Sequence, residues 1–130
     1  GKVKFVTEFE VKASQKMLFP YISTASGLAQ WFADDVNINE DKDLIFLWDG
    51  ETHKAKKAAQ KQHVSVKFEF FPEEDEDEDD PNYIELKLNV NELTQSVYLQ
   101  ITDYSDFDDP EEQQELWENQ VYLLKEMLGA

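Results

Sequence analysis

Residues 109–129, "DPEEQQELWENQVYLLKEMLG", are the one long stretch with clear helical periodicity in this 130-residue chain. Asp109 suits an N-cap, Pro110 suits the first helical position, and Glu112 completes a capping box. Glu111 and Glu112 also favour the positive end of the helix dipole. Leu116, Trp117, Gln120, Val121, Leu124, Met127 and Leu128 recur at helical spacing, and Gly129 is a natural stop. A helix of about 18 residues is about 27 Å long. That is enough to lie across a whole sheet, and its apolar stripe must be buried on something.

Most of the text upstream has a period of two. "VKFVTEFEVK", residues 3–12, sets Val3, Phe5, Phe9 and Val11 against Lys4, Glu8, Glu10 and Lys12, the pattern of a half-buried strand. Ser14 then caps a short helix over "QKMLFPYI", which Pro20 should kink or end. Thr24 caps a second short helix over "ASGLAQWF". After these come "VNI" and "LIFLWDG", the latter closing on Asp49-Gly50, a strong hairpin signal. Trp48 differs in parity from Ile45 and Leu47, so it is expected to face away from the long helix. The Ala and Lys residues of "THKAKKAAQKQ" favour helix. However, a ten-residue helix would leave almost no connectors between the Asp-Gly turn and the next strand, "HVSVKFEFF". The segment is therefore read as a strand with Ala55 and Ala59 inward. "YIELKLNV" and "LTQSVYLQIT" follow, joined by a tight turn at Asn91-Glu92.

The expectation is an α+β fold: a largely antiparallel, curved sheet of about six to seven strands, two short helices after the first, and a long C-terminal helix packed across the sheet. The length suits one domain over residues 1–130. A curved sheet wrapped on one helix often leaves a space between them, which the two short helices would close at one end.

Charge narrows the function classes. Twelve basic residues against 29 acidic ones give a net charge of −17. Such a surface repels nucleic-acid phosphates and anionic lipid headgroups, so neither nucleic acid nor a membrane surface is an expected partner. A protein partner with a basic patch remains open, beside the simpler reading that acidity maintains solubility. Eight of the acids fall in "EEDEDEDDP", residues 73–81, expected to be a solvated acidic loop between strands. It has no glycine where a calcium loop of the EF-hand type needs one. There is no cysteine, which excludes disulfides and thiolate chemistry. His53 and His63 have no second ligand at metal spacing. No apolar run approaches the roughly 20 residues of a membrane span, and no secretory leader pattern is present. A cytoplasmic protein without metal or cofactor is the default expectation.

The stretch "GLAQWFADDV", residues 27–36, places two large aromatics side by side. This stretch, with "LFPYISTASGLAQWFADDV" around it, "FLWDG", "NELTQSVYLQITDY" and "ELWENQVYLLKEMLG", resembles the START-like (helix-grip, SRPBCC) superfamily, and within it the branch of activators of heat-shock-protein-90 ATPase. The ordered set covers nearly the whole chain. The resemblance implies a cavity between sheet and terminal helix, with Trp31 and Phe32 near its mouth. They are either part of an apolar wall or plugs that seal the sheet end. Trp117, on the apolar face of the terminal helix, is the better pocket candidate of the remaining tryptophans. Phe68, Phe70, Val121 and Leu124 would line any cavity that the fold encloses, or simply pack.

Three functions follow in order. The first is a noncatalytic domain holding a small hydrophobic ligand. The second is a protein-interaction module like the chaperone activators. The third is an enzyme of the cyclase or aromatase kind, for which His53 is the only ionisable group nominated within the sheet. No catalytic residue is assigned: GxSxG, phosphate-cradling glycine loops and a defensible Ser-His pair are all missing.

Overall fold

A computed structural model describes residues 1–75 and 78–129. Its elements are β1 (Val3–Val11), α1 (Gln15–Ser23), α2 (Ala25–Leu28), β2 (Asp35–Ile38), β3 (Leu44–Trp48), β4 (Glu51–Lys61), β5 (Ser65–Phe70), β6 (Tyr83–Val90), β7 (Val97–Ser105) and α3 (Pro110–Leu128). The seven strands form one antiparallel sheet in the order β1-β7-β6-β5-β4-β3-β2. From β2 to β7 it is a plain meander, and β1 joins beside the last strand. The sheet is open and curved, and α3 packs across it, which is the helix-grip α+β architecture.

Local chemistry explains most boundaries. Asp109 caps α3 by accepting from Glu112 N–H, Pro110 stands in its first turn, and Gly129 ends it at φ 69°. Asp49 and Gly50 both have positive φ, 50° and 80°. That is the turn geometry that matches the twist of the β3–β4 hairpin. The lysine-rich segment is strand β4, and it pairs in register with β3 and with β5. Between Lys57 and Ala59 its register shifts. The bulge reverses the strand's parity, so Ala55 is buried but Ala59 is exposed, against the expectation for Ala59.

Four other expectations need correction. Helix α1 runs through Pro20 to Ser23, because a cap at Thr24 gathers on the Pro20 carbonyl: Thr24 N–H and hydroxyl both donate to it, at 3.2 and 2.7 Å. Helix α2 is only four residues long and continues to Phe32 as turns. The β6–β7 connection is the loop 91–96 rather than a two-residue turn. Asn91 Oδ1 accepts from Leu93 and Thr94 N–H, and Gln95 takes φ 62°, which leaves Leu93 96% exposed instead of inward. Trp48 faces the core side with Leu44 and Phe46, while Ile45 and Leu47 lie on the other face.

The core lies between α3 and the inner face of the sheet. Val66 and Phe68 of β5, Leu86 and Leu88 of β6, and Leu99 and Ile101 of β7 are buried there beneath Val121 and Leu124 of α3. Full burial of one such side chain stabilises by about 1.5–3 kcal/mol. The acidic run forms exposed turns where it is described; Glu76 and Asp77 lie outside the described residues. Its C-terminal base is tied down, since Tyr104 Oη donates to both Asp80 carboxylate oxygens at 2.9 and 3.1 Å, and Lys2 Nζ donates to the Asp80 carbonyl.

Candidate functional site

The corner at α1–α2 decides where the aromatic pair stands. A Cβ on Gly27 would lie 2.1 Å from the Pro20 carbonyl oxygen and 2.7 Å from Tyr21 Cα. Only glycine lets α2 press onto α1 this closely. Thr24 Oγ1 accepts from Gly27 N–H at 3.0 Å and holds the contact. The chain then turns inward, and its two aromatics separate. Trp31 is buried, with its indole N–H donating to the Tyr21 carbonyl at 2.9 Å. Phe32 is fully buried at the centre of a ring cluster: Phe46, Trp48, Trp31 and Trp117 lie 5.3–5.7 Å from it, centroid to centroid. Edge-to-face aromatic contacts at such distances add to simple area burial.

The backbone around Phe32 is held equally firmly. Trp48 Nε1 donates to the Phe32 carbonyl at 2.9 Å. Gln120 Nε2, reaching from α3, donates to the Trp31 and Phe32 carbonyls at 2.8 and 3.1 Å. Together these bonds fix the distance between α3 and the α2–β2 corner.

Beside this cluster, an open cleft of about 630 Å³ runs between the first half of α3 and the ends of β3, β4, β6 and β7. Its size falls within the range of small-molecule sites, about 300–1,000 Å³. Of the residues that the sequence proposed as a wall, the structure brings Phe32, Phe70 and Trp117 to the cleft. It places Trp31, Phe68, Val121 and Leu124 in the packed core, away from the lining. Trp31 is thus packed behind the cleft, and Phe32 borders it while remaining fully buried within the ring cluster.

Several lining residues lie outside the set that the sequence proposed as a wall. Trp48 stacks on Phe46 at 5.2 Å and presents its indole to the cleft. His53, 5.5 Å from the Trp48 ring, lines it too. The most consequential is Asp103. In β7 it continues the inward row Val97, Leu99, Ile101, opposite Ile84 of β6 and Phe5 of β1. Burial raises its carboxyl above the ordinary aspartate value, while polar hydrogens of Gln113, Ser105 and Trp117 directed at it oppose the shift. Asn82 stands at the same end of the cleft, and its buried Oδ1 is without a hydrogen-bond partner. Period two carried on past Ile101 would have flagged Asp103; nothing local flags Asn82. Among the described residues, no three His, Asp or Glu side chains converge as metal ligands, and no helix is long and apolar enough to cross a membrane.

The whole chain, residues 1–130, matches the model of a START-like superfamily domain. The chain belongs to the START-like superfamily. A Bacteroides fragilis protein of known solution structure, BfR322, is 35% identical over 98% of this chain and 91% of its own, with a TM-score of 0.60. The Aha1 dimer from Colwellia psychrerythraea is 15% identical, over 96% of this chain and 92% of that one, at TM-score 0.68. DynU16, from the dynemicin biosynthetic locus, is 14% identical at TM-score 0.71; it matches 98% of this chain, which spans 47% of DynU16. The last two likenesses are of fold. Among curated proteins, no sequence matches this START-like chain.

Proposed function

We propose that this START-like domain is a noncatalytic binder of a small, flat, hydrophobic molecule, held in the cleft between α3 and the sheet. The observation that carries the reading is the aromatic wall of Trp48, Phe70 and Trp117, backed by Phe32, beside a space of about 630 Å³. A wall of rings offers much apolar area with few rotatable bonds, so little entropy is lost on binding. Polar side chains such as His53, Asn82, Asp103 and Gln113 stand among the rings and are available to orient a ligand.

The three tryptophans make a direct test. Titration with 2-naphthalenemethanol, a neutral flat probe, is expected to shift the indole N–H signals of Trp48 and Trp117 saturably in proton–nitrogen NMR spectra. The signal of Trp31, behind the wall, should stay. If no signal moves at millimolar probe, the binder reading fails. The remaining reading is then a protein-interaction module, its acidic surface meeting a basic patch on a partner.

A further inference from the structure

The end of the cleft carries chemistry that an apolar ligand alone does not use. Asp103 is an ionisable group that lines the cleft, and it lies on the inner face of the sheet between β1 and β6. Asn82 stands diagonally across from it, two residues along the chain from Ile84, its direct neighbour on β6. Diagonal positions on one sheet face are about 7–8 Å apart, so a single small donor group can reach both side chains. Both offer oxygen. The Asn82 Oδ1 is buried and unpaired, and a buried acceptor without a donor is a local cost that a ligand N–H removes.

The surroundings favour positive charge. Asp34, Asp49, Glu73 and Asp103 line the cleft against Lys54 and His53. Lys54 is turned to the rim, its ammonium 4.5 Å from the centroid of the Phe71 ring. The faces of Trp48 and Trp117 are themselves attractive to cations. A carboxylate ligand, such as a fatty acid, would meet this field with the wrong sign. A cationic donor offsets the cost of burying the Asp103 charge.

We propose that the cleft selects a protonated amine carried on a flat apolar body, its N–H donors meeting the Asp103 carboxylate and Asn82 Oδ1 while the body lies against Trp48 and Trp117. This rests on the binding function proposed above and names its ligand class.

The test uses three probes of one shape at pH 7: 2-naphthalenemethylamine (cationic), 2-naphthalenemethanol (neutral) and 2-naphthoate (anionic). Each is titrated against the full chain by the same indole NMR shifts. A charged hydrogen bond that replaces a neutral one predicts that the amine binds about tenfold more tightly than the alcohol, and the anion most weakly. In Asp103→Asn the amine's advantage over the alcohol should shrink to about threefold or less. Asn82→Leu, read in the same way, should weaken the amine more than the alcohol, and it serves if Asp103→Asn does not fold. If the alcohol binds and the amine is no tighter, the amine proposal is overturned and the binder stands. If all three bind equally in the wild type and in Asp103→Asn, the amine proposal is likewise overturned. If none binds, the binder itself is overturned and the amine proposal falls with it.

Discussion

The two halves of the interface between α3 and the sheet are built differently. Under the C-terminal half, Val121 and Leu124 rest on aliphatic side chains and Phe68, and the space is full. Under the N-terminal half, Gln113 and Trp117 overhang the cleft. The switch occurs along each strand at the same level. On β7 the inward row runs Leu99, Ile101, then Asp103. On β6, read toward the same end, it runs Leu88, Leu86, Ile84, and Asn82 stands just before the strand. On β4 Ala55 gives way to His53, and on β3 Phe46 gives way to Trp48. Side chains that carry hydrogen-bonding groups, or rings too wide to interlock, hold the second half open. One helix and one sheet thus make a core at one end and a site at the other, with Phe32 and Gln120 joining them.

Breaking the full half should have the largest effect. Leu124→Ala removes a fully buried side chain and is expected to destabilise by about 2–5 kcal/mol. Urea denaturation measures the loss, and the affinity for 2-naphthalenemethanol should stay within about twofold for a site that Leu124 does not line. A large change in affinity would show that the two halves are one unit. The joint between them comes next. Gly27→Ala drives a methyl into the Pro20 carbonyl and should cost about 1–3 kcal/mol or more by overpacking. Because it displaces the corner that carries Phe32, this variant should also weaken the probe, unlike Leu124→Ala.

The smallest effect lies in the open half and depends on pH. The folded-state carboxyl of Asp103 is raised, so the folded chain holds this proton when the unfolded chain has released it. The contribution to stability is therefore greatest below the ordinary aspartate value of about 4 and is lost as pH rises through the folded-state value. Asp103→Asn removes that loss. Its stability relative to the wild type should be higher at pH 7 than at pH 4, as read from urea midpoints of the two proteins at each pH. A relative stability that falls over the same interval would contradict the burial cost assigned to Asp103.

How legible each half was from the sequence follows from the same contrast. The ends of α3, the Asp49-Gly50 hairpin and the strand β4 were readable because capping, turn and connector rules are local. The β6–β7 loop was misjudged because Leu93 extends an apolar alternation, while the structure is set by an Asx turn at Asn91. Trp48 was misassigned because every residue of "LIFLW" is apolar, so periodicity does not say which row faces in. The full half needed only apolar parity, and Phe68, Val121 and Leu124 lie on the inner side as parity requires. Which inner residues are wall and which are plug depends on the height at which α3 crosses, and Gln120 sets that height through two backbone carbonyls far away in sequence. Asp103 was missed among 29 acidic residues, where one more aspartate carries no contrast.

The pairing of β1 with β7 also orders events in time. Val3 lies beside Ser105 and Val11 beside Val97, so β1 finds its partner only when β7, far along the sequence, has been synthesised. Until then its Phe5, Phe9 and Val11 have no sheet to complete, whereas the meander from β2 to β7 can zip through short hairpins. Such long-range pairing is slow and late. The β1 row therefore stays uncovered until the rest of the sheet is available to receive it.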